Sequence, residues 1–184
     1  MSGPRVLIDA CVLYPTVMRE VVLGVARAGA FEPIWSERLL EEWARAAIKL
    51  GAEGEAQARA EIALLRPAWP QAERPAAPGV AARLWLPDEN DIHVLAVAVD
   101  AGADMIMTLN AKDFPRGTLA EEGLTRVDPD SYLMQLWPEH EQAIRAVAEN
   151  VLETARTLSG TDWEMRGLFK KARLPRLAKV LSRD

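Results

Sequence analysis

"LWLPDENDIHVLAVAVDAGADMIMTLNAKDFP", residues 84–115, decides the fold. Asp88, Glu89, Asn90 and Asp91 stand directly before an apolar run. One capping side chain is enough to start a helix, because its oxygen accepts from a free N–H of the first turn. Four acidic or amide side chains are more than capping explains. Residues 91–101 read as helix, and the short apolar run "DMIMT" (104–108) reads as strand. Asn110 and Asp113 follow at once, before Phe114 and Pro115.

Working outward, the same alternation continues in both directions. "RVLID" (5–9) is a short apolar run ending on an acid, as a buried parallel strand would. Apolar spacing from Thr16 to Ala28 predicts a helix closed by Gly29. "EPIW" (32–35) predicts a second strand, and Ser36 is placed to cap a helix from Glu37 to about Leu50. An Ala/Glu/Arg-rich stretch from Glu53 to Ala68 is helical in pattern, and the Pro-rich segment 69–79 reads as connector. "LTRVD" (124–128) is a further strand, followed by a helix over 129–136 with Pro129 in its first turn. This order predicts an α/β fold, a mostly parallel central sheet with helices on both faces. From Pro138 onward the pattern is helical only, with helices near 139–158 and 162–172 and a short "LPRLAKVL". The expected division is therefore 1–137 for the α/β unit and 138–184 for a helical C-terminal extension.

Composition sets limits on function. The 184 residues are 49% hydrophobic and 27% charged, which suits one compact domain with a core of its own. A single cysteine, Cys11, excludes an internal disulfide framework and a Cys-rich zinc site. No basic segment followed by a long apolar run opens the chain, so the expectation is a soluble, unexported, cytoplasmic protein with no membrane partner. The net charge of -5 argues against indiscriminate nucleic-acid binding, but residues 161–184 carry seven Lys/Arg against three Asp/Glu.

Sites in open parallel sheets form outside the carboxyl ends of the strands. Asp9 ends the first strand, Asp91 starts a helix, and Thr108, Asn110 and Asp113 follow a strand, so all of them can face one crevice. Glu41 and Glu42 lie on the helix after "EPIW". Adjacent helical positions point about 100° apart, so only one of the two can join. Leu39, Leu40 and Trp43 mark the inward face, and Glu42 borders it. Three or four carboxylates gathered in one crevice repel one another. A hard divalent cation such as Mg²⁺ or Mn²⁺ relieves this with oxygen ligands. The two histidines, His93 and His140, are too few and too far apart for a zinc site.

"LIDACVLYP", "SERLLEEWARA", "LPDENDIHVLAVA" and "TLNAKDFP" occur in an order and spacing that resembles the PIN-domain ribonucleases, above all the VapC-like toxins of bacterial toxin-antitoxin pairs. The resemblance covers about residues 5–136, and "KARLPRLAKVL" is similar to an extension in one branch of that family. It implies a PIN-like α/β/α sandwich and a metal-dependent endoribonuclease. It also implies Asp9, Glu42, Asp91 and Asp113 as catalytic and metal-binding carboxylates for Mg²⁺ (or Mn²⁺), with Thr108 and Asn110 in support. The partners it implies are an RNA substrate, a cognate antitoxin protein and a second copy in a homodimer. Two positions depart from the pattern: Cys11 replaces the Asn of "DANVLYP", weakening support of Asp9 if that Asn supplies it, and Ile92 stands where a basic residue commonly precedes the His.

Each element also has a plainer explanation. Asp9 can simply end a strand, Asp88 or Asn90 can be the cap with the rest solvated, Asp91 can itself be an N-cap, and Asp113 or Asn110 can be turn residues. Lys170, Lys171, Arg173 and Arg176 are candidates for RNA contact, against the alternative of a solvated face over a packed apolar one. An aspartyl-phosphate phosphatase wants a second Asp two residues after the first, where Cys11 stands. A dinucleotide-binding module wants glycines that "DACVLYPTV" lacks. A catalytically inactive PIN-like interaction module is the remaining alternative.

Overall fold

The computed structural model describes residues 2–183. β1 (Arg5–Ile8) forms because "VLI" is buried on both faces, with no exposed side for a polar alternation. Asp9 ends it and caps the short helix α1 (Ala10–Leu13), and α2 (Thr16–Arg27) follows after Pro15. β2 (Glu32–Ser36) runs straight into α3 (Glu37–Ala46), because the Ser36 hydroxyl accepts from the Leu39 N–H at 3.2 Å. A 3₁₀ turn (Ala47–Leu50) leads to α4 (Ala52–Ala68).

β3 (Glu73–Arg74) and α5 (Pro78–Ala81) lie within and just beyond the Pro-rich segment expected to be connector only. That segment therefore contributes an edge strand. Its two residues are too few and too polar to show a strand pattern, and it pairs because β2 offers a free edge at Trp35 and Ser36. A 3₁₀ turn (Glu89–Asp91) opens α6 (Ile92–Asp100), then come β4 (Met105–Met107), a 3₁₀ turn (Ala111–Asp113), α7 (Arg116–Glu121) and β5 (Thr125–Val127).

α8 (Pro129–Ser159) is two helical stretches joined across a kink, close to the two helices that the sequence suggests on either side of Pro138. Pro138 removes one helical hydrogen bond and His140 leaves helical geometry (φ -126°, ψ 16°), yet the helix resumes beyond the kink. α9 (Met165–Lys171) and α10 (Pro175–Leu181) complete the described chain. Among the described residues, no helix is long and apolar enough to cross a membrane.

The strands form a five-stranded sheet in the order β3-β2-β1-β4-β5, every pair parallel. β1 is central. The chain builds outward on one side of it to β3, then crosses back to lay β4 on the other side, so the order reverses between β1 and β4. The carboxyl ends of those two strands flank the crevice where such sheets place their sites. This is an α/β/α sandwich with added C-terminal helices.

Two packing devices hold the elements around that crevice. The Arg19 guanidinium, buried in α2, donates to the carbonyls of Leu13 (2.6 Å) and Tyr14 (3.2 Å), pairs with Glu61 of α4 (2.6 Å) and stacks 4.4 Å over Trp43 of α3. It thus fixes α1, α3 and α4 relative to one another through a fully paired charge. On the opposite side α8 lies so close to α2 that a Cβ on Gly24 would meet Val147 Cγ1 at 2.6 Å.

The C-terminal helices pack into the same core. Phe169, Leu174 and Leu177 are fully buried, each contributing roughly 1.5–3 kcal/mol by burial. α10 has no capping side chain of its own at Leu174. Instead the buried carboxylate of Asp130, in the first turn of α8, accepts from the N–H groups of Arg176 (2.9 Å) and Leu177 (3.0 Å).

Candidate active site

Asp9 leaves β1 at the reversal point, its own N–H bonded to the Met107 carbonyl of β4. Only 7% exposed, its carboxylate is held by three donors: the Ala10 N–H on Oδ1 (2.8 Å), and on Oδ2 the Thr108 hydroxyl (2.8 Å) and the Cys11 thiol (3.3 Å). Burial pushes the Asp9 carboxyl above the usual carboxylate range, those three hydrogen bonds pull it back, and the charge of Glu42 pushes it up again. Thr108 can aim its proton at Asp9 because its oxygen already accepts from the Asn110 N–H at 3.0 Å. Asn110 thus acts through its backbone, and its side chain caps nothing.

Cys11 also acts here. Its sulfur accepts from the Leu109 N–H (3.4 Å) while its proton goes to Asp9. Burial, then the negative charge of Asp9, pushes the thiol up to about 12, so it remains a donor at neutral pH. The position where Asn is usual in the resembling family thus supplies a hydrogen bond to Asp9 and ties the β1 end to the loop after β4.

The excess of acids before α6 sorts itself by geometry. Asp88 is the cap: its carboxylate accepts from the Asn90 N–H at 2.9 Å. Glu89 and Asn90 are exposed. Asp91 occupies the N-cap position just before α6, as the sequence allows, but its side chain makes no capping bond. Its half-buried carboxyl is pushed up to about 6, first by burial and then by the charges of Asp113, Asp9, Asp88 and Glu42. Asp91, Asp113, Asp9 and Glu42 therefore share one electrostatic field.

Glu41 and Glu42 separate as adjacent helical residues must. Arg59 of α4 grips Glu41 with two hydrogen bonds (2.9 and 3.0 Å), and Arg45 adds a third at 3.1 Å. These bonds hold the Glu41 carboxyl down at about 2. Glu42 points the other way, with Oε1 2.7 Å from His93 Nε2 and 3.7 Å from Arg38. The contact with His93 is a close approach rather than a hydrogen bond, and neither buried ring nitrogen has a hydrogen-bond partner.

Asp113 closes the 3₁₀ turn after β4. Arg126, from β5, sets that turn by donating through Nη1 to the carbonyls of Ala111 (2.8 Å) and Phe114 (2.9 Å). Asp9, Asp91 and Asp113 form no ion pair among the described residues. Lys170, Lys171, Arg173 and Arg176 are exposed, and among the described residues no hydrogen bond or ion pair joins them to these acids.

Sequence reasoning passed over Cys11 as a donor, Arg126 as a clamp and His93 beside Glu42. A lone arginine within the strand pattern "LTRVD" was the faintest of signals for one of them.

A family model described as PIN domain matches residues 5–112, more than half of the chain. The chain belongs to the PIN-domain family. No curated protein and no solved structure matches it. The fold is thus of the nuclease type. The PIN match takes in Asp9, Glu42, Asp91, Thr108 and Asn110 and stops one residue before Asp113.

The donor set of this PIN domain suits a hard cation in its chemistry: every candidate ligand is a carboxylate oxygen, and Asp91 is pushed up by burial and then by its acidic neighbours. The acids share a field rather than a tight cage. Among the described residues, no three His, Cys, Asp or Glu side chains come together closely enough to hold a metal ion. None of the four acids lines the apolar groove of about 490 Å³ bounded by Met18, Val151 and Leu168.

Proposed function

We propose that this PIN domain is a metal-dependent endoribonuclease and the toxin of a toxin-antitoxin pair. One observation carries the proposal: Asp9 sits at the point where the sheet order reverses, and Asp91, at the start of α6, is raised to about 6 by burial and then by the charges of Asp113, Asp9, Asp88 and Glu42. Asp9, Glu42, Asp91 and Asp113 would hold Mg²⁺ or Mn²⁺. When bound, that ion supplies a more acidic water and positive charge for a phosphodiester in transit.

The chain's own residues do the positioning. Thr108, Cys11 and the Ala10 N–H keep both oxygens of Asp9 fixed, so no reorganisation is required when a cation or substrate arrives. Asn110 orients Thr108 through its N–H. Net addition of water across the phosphorus to 3′-oxygen bond of RNA needs no protein nucleophile.

A PIN domain that cuts cellular RNA in the cytoplasm needs restraint. A cognate antitoxin segment bearing a basic group would pair with these acids, and a homodimer is the expected assembly. Residues 1–137 would carry the chemistry, with 138–184 as the supporting extension. Lys170, Lys171, Arg173 and Arg176 would steer RNA phosphates.

Cleavage of RNA should vanish in EDTA and return with Mg²⁺ or Mn²⁺; activity that persists in chelator refutes the mechanism. The spread of the acids favours one rival, an inactive PIN-like interaction module. RNA that stays intact in saturating Mn²⁺, under a protein that still binds a partner, would establish that rival.

A further inference from the structure

The turn that carries Asp113 has little to hold it. Its internal bonds are Asp113 N–H to Asn110 O at 3.0 Å and Phe114 N–H to Ala111 O at 3.3 Å, and its apolar anchor is the fully buried Phe114 ring. The third restraint comes from outside the turn. In a 3₁₀ turn, residues three apart eclipse one another, so the carbonyls of Ala111 and Phe114 lie within reach of a single group. Nη1 of Arg126 takes both, at 2.8 and 2.9 Å. Arg126 is in turn fixed by the sheet: it sits in β5 with Ile106 of β4 as its register partner, and β4 is the strand from which the turn departs. The guanidinium therefore references the turn to the same strand that positions Thr108 and, through it, Asp9.

We propose that Arg126 is a positioning residue for Asp113, fixing the turn that carries this carboxylate by clamping the carbonyls of residues 111 and 114. This rests on the nuclease reading of the site. A planar, permanently charged fork is suited to the task, because it donates two charge-assisted hydrogen bonds without competing as an acceptor. Lysine reaches with a flexible stem and a single ammonium, and would hold the turn less rigidly. Both Asp113 and Arg126 lie outside the residues matched by the family model, so the fourth acid and its restraint are supplied together by the chain beyond residue 112.

The test measures Mn²⁺ affinity by titration calorimetry and RNA cleavage under saturating Mn²⁺, for wild type, Arg126→Gln, Arg126→Lys, Asp113→Asn and the Arg126→Gln/Asp113→Asn double variant. Loss of a residue that orients a metal ligand lowers metal affinity about 10–100-fold. Arg126→Gln should show a loss at the lower end of that range and a fall in kcat that exceeds any change in KM. Arg126→Lys should recover part of both. In the Asp113→Asn background the Arg126 substitution should have no further effect on Mn²⁺ affinity. Unchanged Mn²⁺ affinity and kcat in Arg126→Gln, or losses that simply add in the double variant, overturn the proposal, whatever happens to the melting temperature. If Arg126→Gln fails to fold, wild-type behaviour of Arg126→Lys without any loss overturns it equally. A wild type that neither binds Mn²⁺ nor cuts RNA overturns the nuclease reading and this inference with it. A competent wild type with an indifferent Arg126 overturns this inference alone.

Discussion

The Thr108 hydroxyl donates to Asp9 Oδ2 at 2.8 Å, joining the ends of two adjacent strands that are ninety-nine residues apart in the chain. That bond lowers the Asp9 carboxyl against the pull of burial. Thr108→Val should therefore raise the Asp9 pKa, reduce RNA cleavage and, as loss of a buried hydrogen bond to a charged group, cost about 1.5–3 kcal/mol in urea unfolding. Thr108→Ser keeps the donor and should retain most activity. A Thr108→Val protein with wild-type cleavage would show that Asp9 needs no such support.

Glu42→Gln should remove most activity with the fold intact. Glu41→Gln should leave activity in place and only loosen the α3–α4 contact through Arg59, visible as a small drop in melting temperature. Loss of cleavage in Glu41→Gln would mean that the residue tied to Arg59 is the functional one.

Which glutamate faces inward was not legible from the sequence alone. The periodicity of Leu39, Leu40 and Trp43 favours Glu42, but what removes Glu41 is Arg59, eighteen residues away on another helix. The sheet was far more legible. β1, β2 and β4 announce themselves as short apolar runs, because an interior parallel strand is buried on both faces, whereas β5 lies at the sheet edge and is only partly buried. β3 does not announce itself, since two polar residues pairing at an edge leave no periodic trace. α1 and α7 are likewise too short for periodicity, whereas the break that Pro138 marks in the long helix is found as a kink at His140. The role of Asp88 as the cap, which frees Asp91, depends on a turn geometry that four consecutive polar residues leave open.

The pH dependence of stability follows from Asp91, whose carboxyl rises from the ordinary 3.8 to about 6 on folding. Between these values the folded chain binds more protons than the unfolded one, so stability falls as pH rises through that window. In metal-free buffer, Asp91→Asn should be more heat-stable than wild type above pH 6, and the advantage should fade toward pH 4. Asp9, also raised, acts in the same sense. Thermal melts in EDTA across this range check the sign; a wild type that gains stability from pH 4 to 7 relative to the variant contradicts it.

Adding Mg²⁺ or Mn²⁺ should reverse that pattern at neutral pH, because a ligand that binds only the folded state stabilises it. The wild-type melting temperature should climb with cation concentration, and Asp91→Asn should lose much of the increment. Equal increments in the two proteins would place the cation elsewhere.

The C-terminal basic residues are best tested by charge removal rather than truncation, since Phe169, Leu174 and Leu177 belong to the core. Neutralising Lys170, Lys171, Arg173 and Arg176 to Gln should weaken RNA binding and flatten its salt dependence while leaving the fold intact. An unchanged salt slope would assign them to a solvated face. Asp130→Ala, by contrast, should destabilise the protein by about 1–3 kcal/mol through two unsatisfied N–H groups, without altering the salt slope.

The bond from Asp130 to α10 also sets an order of events during synthesis. All four candidate acids have been translated by residue 113, but Asp130 waits a further forty-six residues for the N–H of Arg176. A chain emerging from the ribosome thus has all the acids of its crevice before it has the helices that fasten α8. If those acids cut RNA, a cell making this protein meets the chemistry before the finished molecule, and any inhibitor that recognises only the completed fold arrives after the hazard has begun.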